Sequence, residues 1–407
     1  MSERAVAVTG LGLVTPAGGD PDTLWKTLAA GRSVAAPDPD LAGLPVQFSC
    51  RVTGLDPAAE LGARLARRLD RFAHMGLIAA RRAVADAQLQ VAASPERVGV
   101  ILGVGSNSLE TYVTEFTRLG QGQPTKVSPL ALPRSVPNMV AGEVALDVGA
   151  QGPNFTVSSA CASGASALGV ARELLLSGAC DVVLAGGCES ARSRMTATCF
   201  AQMRALSPQT DRPELACRPF DVARDGFVLG EGAAVLVLER LDHARRRHAG
   251  IRAALRGFGA SADACHPTAP HPEGAGAEQA IRQALTDARC AAGDVGHVNA
   301  HGTATQAGDA AEAAALLRTF GDRSPVVTAP KSIIGHALGA AGAIEAAVTV
   351  LSLQRQEVPP TANLVRQSPG RELDLATRRP RPLRFDLAVS TSCGFGGQNA
   401  ALVFATS

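Results

Sequence analysis

TVSSACASGASAL, residues 156–168, decides how the chain is read. Asn154 to Ala160 is β-prone and partly apolar and predicts a short strand, and Ala162 to Leu175, rich in Ala and Leu, predicts a helix. Cys161 falls at the junction. Backbone N–H groups at a helix start stabilise negative charge, so a thiol there is drawn toward the thiolate and an oxyanion beside it can be held. Small residues around the turn leave room for a substrate. Taken alone, the segment carries two readings, because a free cysteine is also a common small buried hydrophobe.

The same strand-to-helix grammar extends in both directions. Val6 to Thr9 predicts a strand, followed by a glycine turn and a helix containing Trp25. Phe72 to Gln88 and Asn138 to Asp147 predict helices around a Val98 to Val104 strand, and CDVVLAGGCES (180–190) predicts a strand and turn. RPFDVARDGFVLGEGAAVLVLERL (218–241) adds a tight glycine turn and a β-rich run. Beyond it, VGHVNAHGTAT predicts a strand and polar turn, DAAEAAALLRTF a helix, and PVVTAPKSIIGHALGAAGAIEAAVTVLSL a strand, a loop and a small-residue helix. This alternation predicts a layered α/β fold. The charged LDHARRRHAG (241–250) marks the best boundary, giving halves 1–250, with the cysteine, and 251–407. The second half repeats the first only faintly, so periodicity suggests a duplication without establishing it.

With 407 residues, 46% of them hydrophobic, the chain can bury a large core in two or more related units. Its nine cysteines, at 50, 161, 180, 188, 199, 217, 265, 290 and 393, form no CxxC pair, which predicts free thiols in a reducing compartment. MSERAVAVTGLGLVTP lacks a signal peptide's apolar segment, and charge, Gly or Pro interrupts every other apolar stretch before membrane-spanning length. A soluble cytoplasmic protein with no membrane partner is expected. A net charge of +2, with one Trp and one Tyr, argues against nucleic-acid binding. Residues 51–84 are locally basic and fit either a solvated helix face or a docking surface for an acidic protein.

His301 follows a predicted strand in NAHGTATQAGDAAEAA, and His336 precedes a small-residue helix in PKSIIGHALGAAGAIEAA. Neutral imidazoles can donate hydrogen bonds to a thioester carbonyl and stabilise the enolate formed when an adjacent carboxylate leaves as carbon dioxide. Either histidine alone also fits a structural role; their similar settings favour a shared pocket. Lys331, five residues before His336, can tune a histidine, attract an acidic group or pair with Glu345. Glu312 and Glu345 can orient loops through backbone N–H groups or pair with Lys331. Cys161, His301 and His336 lack compact metal-ligand spacing, so no metal is expected. GLGLVTPAG is neither GxGxxG nor GxxxxGK[ST], so no nucleotide cradle is expected either.

In order along the chain, VTGLGLVTP, SSACASGASAL, RPFDVARDGFVLGEGA, HGTATQAGDAAE, KSIIGHALGAAGAIEA and CGFGGQNAAL resemble the β-ketoacyl synthase family, closest to the elongating synthase II group. The resemblance spans nearly the whole chain. It implies a duplicated thiolase-like fold with α-β-α-β-α layers and an acyltransferase that joins an acyl thioester to malonyl-acyl-carrier protein by decarboxylative condensation. Cys161 would accept the acyl group, and His301 and His336 would promote decarboxylation and stabilise the enolate, beside the active-site Lys331. Phe395 would be a mobile gate whose N–H joins that of Cys161 in an oxyanion hole. Phe200 would line the acyl pocket, and Thr268 and Thr303 would bond the phosphopantetheine arm. That arm belongs to the acyl carrier protein, so no cofactor is held permanently. The implied assembly is a homodimer.

Cys393 stands where primary fatty-acid enzymes usually have Phe, and Gln398 where Thr is common. HGTATQAGD and SNSLETY (106–112) also depart from common family wording. These differences keep a second reading open, the catalytic subunit of a polyketide or polyene pathway paired with a chain-length factor. A noncatalytic partner role fits poorly, since Cys161, His301, Lys331 and His336 are all present.

Overall fold

The computed structural model describes residues 5–106, 109–321 and 323–407. Ten strands among them join in one sheet: β1 Val6–Val14, β2 Val98–Gly103, β3 Asn154–Val157, β4 Val182–Ser190, β5 Glu231–Arg240, β6 Ala253–Ala262, β7 His297–Asn299, β8 Val326–Thr328, β9 Leu387–Gly394 and β10 Gln398–Ala405. Their order is β8-β7-β9-β10-β6-β1-β5-β4-β2-β3. Cut between β6 and β1, this is one five-strand pattern written twice, β1-β5-β4-β2-β3 and β6-β10-β9-β7-β8. Strand directions repeat as well. In each half the first two pairings are antiparallel and the last two parallel. The halves meet where Val6, Ala7 and Val8 pair antiparallel with Leu255, Ala254 and Ala253. Topology therefore establishes the duplication that periodicity only suggested.

Eight helices complete the description needed here: α1 Pro21–Ala29, α2 Arg71–Asp86, α3 Met139–Val148, α4 Ser163–Leu176, α5 Arg194–Gln202, α6 Ala275–Ala288, α7 Gln306–Phe320 and α8 Ala341–Arg355. Three separate hydrophobic clusters order them into layers. α2 and α3 cover the outer face of the first half-sheet, and α6 and α7 that of the second. Residues of α4, α8 and both half-sheets share the middle cluster. Strands covered on both faces read as continuous apolar runs with period-2 division between cores. Leu236 and Leu238 face the middle, and Val235 and Val237 face α2. In β1 a bulge between Val8 and Gly10 resets the parity, so Val6, Val8, Leu11 and Leu13 all reach the middle core.

Ala341 to Leu353 of α8 is buried on every side, as expected of a central helix without a polar face. It crosses α4 closely. A Cβ added at Gly164 would lie 2.8 Å from the Ala343 nitrogen, and one added at Gly342 would lie 2.8 Å from the Ala165 nitrogen. The small residues of SSACASGASAL and GHALGAAG are thus the contact between two counterpart helices. Each is preceded by a matching 3-10 turn, Ala160–Ala162 before α4 and Leu338–Ala340 before α8. Ala160 and Leu338 both take left-handed backbone, at φ 48° and 45°.

Most sequence-predicted elements are present, with shifted ends. The strand before Cys161 stops at Val157, not Ala160, and the helix starts at Ser163, not Ala162, because the left-handed turn separates them. α2 ends at Asp86 rather than 88, where Gln88 turns left-handed at φ 51°. β6, β9, β10 and α6 were not assigned from sequence; their Ala- and Gly-rich composition gave no clear period. Along residues 51–84, α2 is core-packed rather than a solvated face, with Arg71 and Arg81 in ion pairs. Exposed basic charge lies at Arg51, Arg64, Arg67 and Arg68 before it.

Gly342→Val is expected to force the central helices apart and to lower unfolding free energy by about 1–3 kcal/mol, the usual range for overpacking, measured by urea denaturation.

Candidate active site

The turn carrying Cys161 is braced by Ser163, whose hydroxyl donates to the Ala160 carbonyl at 2.6 Å and accepts from the Ser159 N–H at 2.9 Å. The Cys161 sulfur accepts the Phe395 N–H from the opposite half. Burial pushes the thiol pKa up to about 12, against the opposing pull of the Lys331 charge and with a smaller upward push from Glu189. This corrects the expectation that a helix start draws the thiol toward the thiolate. Loss of water outweighs the favourable dipoles, and the resting nucleophile is the protonated thiol.

His301 lies just past β7 and is held through its backbone and ring. Glu312 of α7 accepts the His301 N–H at 2.7 Å, the Gly302 N–H at 2.8 Å and the Thr391 hydroxyl at 2.7 Å. Lys331 donates to the His301 carbonyl at 2.6 Å, to Nδ1 at 3.2 Å and to Glu345. Three ammonium protons meet three acceptors. Since an ammonium cannot accept, Nδ1 must be the lone-pair nitrogen, which leaves the imidazole proton on Nε2 as a donor. The two glutamates therefore divide the tasks foreseen for them: Glu312 orients the loop and Glu345 pairs with Lys331. Lys331 hydrogen-bonds His301, not its sequence neighbour His336, and its charge acts on both rings.

His336 is strapped to the segment before β5, with its N–H donating to the Val228 carbonyl at 2.8 Å and its carbonyl accepting the Gly230 N–H at 2.9 Å. Its ring stands edge to face with His301, 5.3 Å between centroids at 87°. Burial first, and the Lys331 charge second, hold both imidazoles well below their ordinary pKa, so both are neutral at pH 7. Phe227 packs edge-on against His336 at 5.2 Å and against Phe200 at 5.3 Å, and Phe200 lies 6.1 Å from Phe395. An aromatic chain thus links the Phe395 loop to His336.

The remaining candidates lie around this centre. The Thr303 hydroxyl is 2.9 Å from that of Thr305, which caps α7. Thr268 is exposed on a loop whose Pro267 carbonyl accepts the Gly396 N–H at 2.7 Å, joining that loop to the Phe395 turn. Cys393 opposes Asn399 in the β9/β10 register, and burial, with Glu312 nearby, keeps its thiol protonated. In SNSLETY, Asn107 and Ser108 lie outside the described residues, while Ser106 is bonded to Glu189. Two residues escaped the sequence reading. Phe227 reads locally only as part of a turn and strand, and the signal for Glu189 is a carboxylate near the end of a buried apolar strand, an unusual placement.

A duplicated, layered α/β body that holds one cysteine at a helix start beside two neutral imidazoles and a buried lysine defines a thiolase-like condensing enzyme. The models for the β-ketoacyl synthase N-terminal and C-terminal domains match residues 3–244 and 252–365. The chain belongs to the β-ketoacyl synthase family. It is 39% identical over 408 residues, 99% of either chain, to 3-oxoacyl-[acyl-carrier-protein] synthase 2 of Coxiella burnetii. Among solved structures it resembles a β-ketoacyl synthase from Burkholderia phymatum, with TM-score 0.93, 36% identity and 99% of both chains covered. It equally resembles the ishigamide ketosynthase/chain length factor, with TM-score 0.93, 32% identity and both chains fully covered.

Glu312→Ala should leave the buried Gly302 N–H without its partner and the His301 N–H with only the Thr391 hydroxyl at 3.1 Å, at a cost of about 1–3 kcal/mol, whereas Glu312→Gln should retain part of the bonding. Urea unfolding of the two variants measures the difference. The imidazole nitrogens of His301 and His336 should show no titration near pH 6.5 by NMR. Because the unfolded histidines titrate near 6.5 and the folded ones lower, the stability linked to them is complete above that pH and lost as pH falls below it.

Proposed function

We propose that the protein catalyses a decarboxylative Claisen condensation between an acyl thioester and malonyl-acyl-carrier protein in the cytoplasm, with residues 1–250 supplying the nucleophile and 251–407 the histidines. The observation that carries this reading is the pair of neutral, buried imidazoles set edge to face, with the Lys331 charge acting on both of them and on the Cys161 thiol. In the first half-reaction the Cys161 sulfur attacks the acyl carbonyl, the bond to the carrier sulfur breaks, and the carrier thiol leaves with the proton. The N–H groups of Phe395 and Cys161 serve the oxyanion. In the second, a malonyl thioester enters and its bond to the carboxylate breaks. Carbon dioxide departs, and the electron pair becomes an enolate whose oxygen accepts hydrogen bonds from His301 and His336. The enolate carbon attacks the acyl-cysteine carbonyl, the C–S bond breaks, the Cys161 sulfur departs as a thiolate and takes a proton from water, and a β-ketoacyl thioester two carbons longer leaves.

Lys331 acts through His301 by fixing its tautomer, supported by Glu345, and Glu312 holds the loop. Phe200, Cys393 and Phe395 bound the acyl pocket. Thr268 and Thr303 would meet the carrier's phosphopantetheine, so the protein needs no cofactor of its own. The exposed arginines Arg64, Arg67 and Arg68 suit an acidic carrier surface.

The assembly is proposed to be a homodimer. β3 is the outer strand of the sheet, with Phe155 40% exposed, and Phe116 and Leu146 are 66% and 74% exposed. An unpaired apolar edge is a template for a second copy. Cys393 and Gln398, with the likeness to the ishigamide ketosynthase/chain length factor, favour a second reading in which the partner is a related, cysteine-lacking subunit.

Incubation with an acyl-carrier thioester should place the acyl mass on the Cys161 peptide; acylation of Cys393 instead would reject the assignment. Cys161→Ala should abolish condensation but keep labelled carbon dioxide release from malonyl thioester. His301→Ala and His336→Ala should each reduce that release by roughly 10²- to 10³-fold. Light scattering should report a dimer for the isolated chain and a monomer for Phe155→Lys; activity appearing only on addition of a cysteine-lacking homologue would favour the paired enzyme.

A further inference from the structure

We propose that Glu189 is a positioning residue: its carboxylate occupies the anion-binding place at the start of α8, the counterpart of the one left open at Cys161, and thereby locks the His336 turn against the nucleophile's turn. The inference deepens the assignment of Cys161 as acyl acceptor and rests on it.

Glu189 is the penultimate residue of β4 and is only 2% exposed. It accepts the N–H groups of Gly105 and Ser106 at 2.8 and 2.9 Å, the Ser106 hydroxyl at 3.2 Å and the N–H of Gly339. Gly339 stands in the second half where Cys161 stands in the first. Both are the middle residue of a three-residue turn, both follow a left-handed non-glycine residue, and their helices cross through equivalent small residues. The two turns offer the same helix-start N–H groups to an anion. On the Cys161 side that place faces the reactive thiol. On the other side a Cβ at residue 339 would lie 2.8 Å from the Glu189 Oε2 and 2.2 Å from the Gly105 nitrogen, so no side chain fits and the carboxylate stands in its stead. A duplicated fold with two equivalent anion sites is made one-sided by a protein carboxylate.

The same carboxylate acts electrostatically on Cys161, while Lys331 and Glu345 act on Cys161 from the second half. Its negative charge opposes thiolate formation at Cys161. Burial raises its own pKa to about 7 against the bonds from Ser106, Gly105 and Gly339, so that opposition grows as pH rises through neutrality.

The test compares Glu189→Gln, Glu189→Asp and Ser106→Ala with the parent protein. Alkylation of Cys161 by iodoacetamide, mapped by peptide mass, is followed against pH, and carbon dioxide release from malonyl thioester is measured separately. Glu189→Gln is expected to move the alkylation profile to lower pH, because a negative charge beside the thiol is gone, and to slow carbon dioxide release roughly tenfold or more as the His336 turn loosens. Glu189→Asp should restore part of both. Ser106→Ala, which removes one donor and leaves the carboxylate more often protonated, should shift alkylation in the same direction by less; it tests the proposal even if Glu189→Gln fails to fold. Unchanged alkylation and carbon dioxide release in the folded variants would overturn it. Alkylation requires no carrier protein, so failure of Cys161 to accept an acyl group would sink the condensing role without altering this result.

Discussion

The crossing of α4 and α8 is the constraint on which the rest of the molecule depends. Two helices can approach this closely only if neither presents a side chain at the contact, and Gly164 and Gly342 meet that condition for each other across the pseudo-twofold axis. The approach brings two turns together, one centred on Cys161 and the other carrying His336 a few residues upstream. It also forces everything around the helices to be apolar and small, which is why α8 is buried on all sides and why both half-sheets contribute to one middle core. Any widening of this contact would act on the site directly, because the nucleophile sits in the first turn beyond it.

A site built in such a core is governed by desolvation. Burial drives the Cys161 thiol up, both histidines down, and Glu189 and Glu345 up to about 7. Burial disfavours the charged form in each case because so little water remains to solvate charge. The exception is built by geometry: Lys331 meets three acceptors with its three protons, so its charge is compensated where it stands. That compensation sets the tautomer of His301, and it makes the pocket one of neutral hydrogen-bond donors. Such donors suit an oxygen that gains negative charge during reaction, since they stabilise the product of the step without binding the starting carboxylate as an ion pair.

Duplication supplied two of everything, and the differences between the copies define the function. The second-half turn has Gly339 in place of Cys161, and the first-half strand β2 leads to Gly105 and Ser106 where β7 leads to His301 and Gly302. The centre thus draws its thiol from one half and its two imidazoles from the other. The aromatic chain from Phe395 through Phe200 and Phe227 to His336 runs along this seam, joining the loop over the thiol to one of the donors.

The sequence by itself determined the alternating α/β order, the strand-to-helix placement of Cys161, the loop positions of His301 and His336, and through its ordered motifs the family. These were legible because they are local: hydrophobic runs, helix-forming composition and small residues at turns need no distant partner. Only the tertiary structure decided that the halves repeat strand for strand, that Lys331 serves His301 rather than its neighbour His336, and that Glu312 and Glu345 take separate tasks. Each of those facts depends on contacts between residues far apart in the chain. The protonation of Cys161 is the sharpest case. Its sequence neighbours supply helix-start dipoles that favour the thiolate, but the missing water, a property of the whole assembled core, outweighs them.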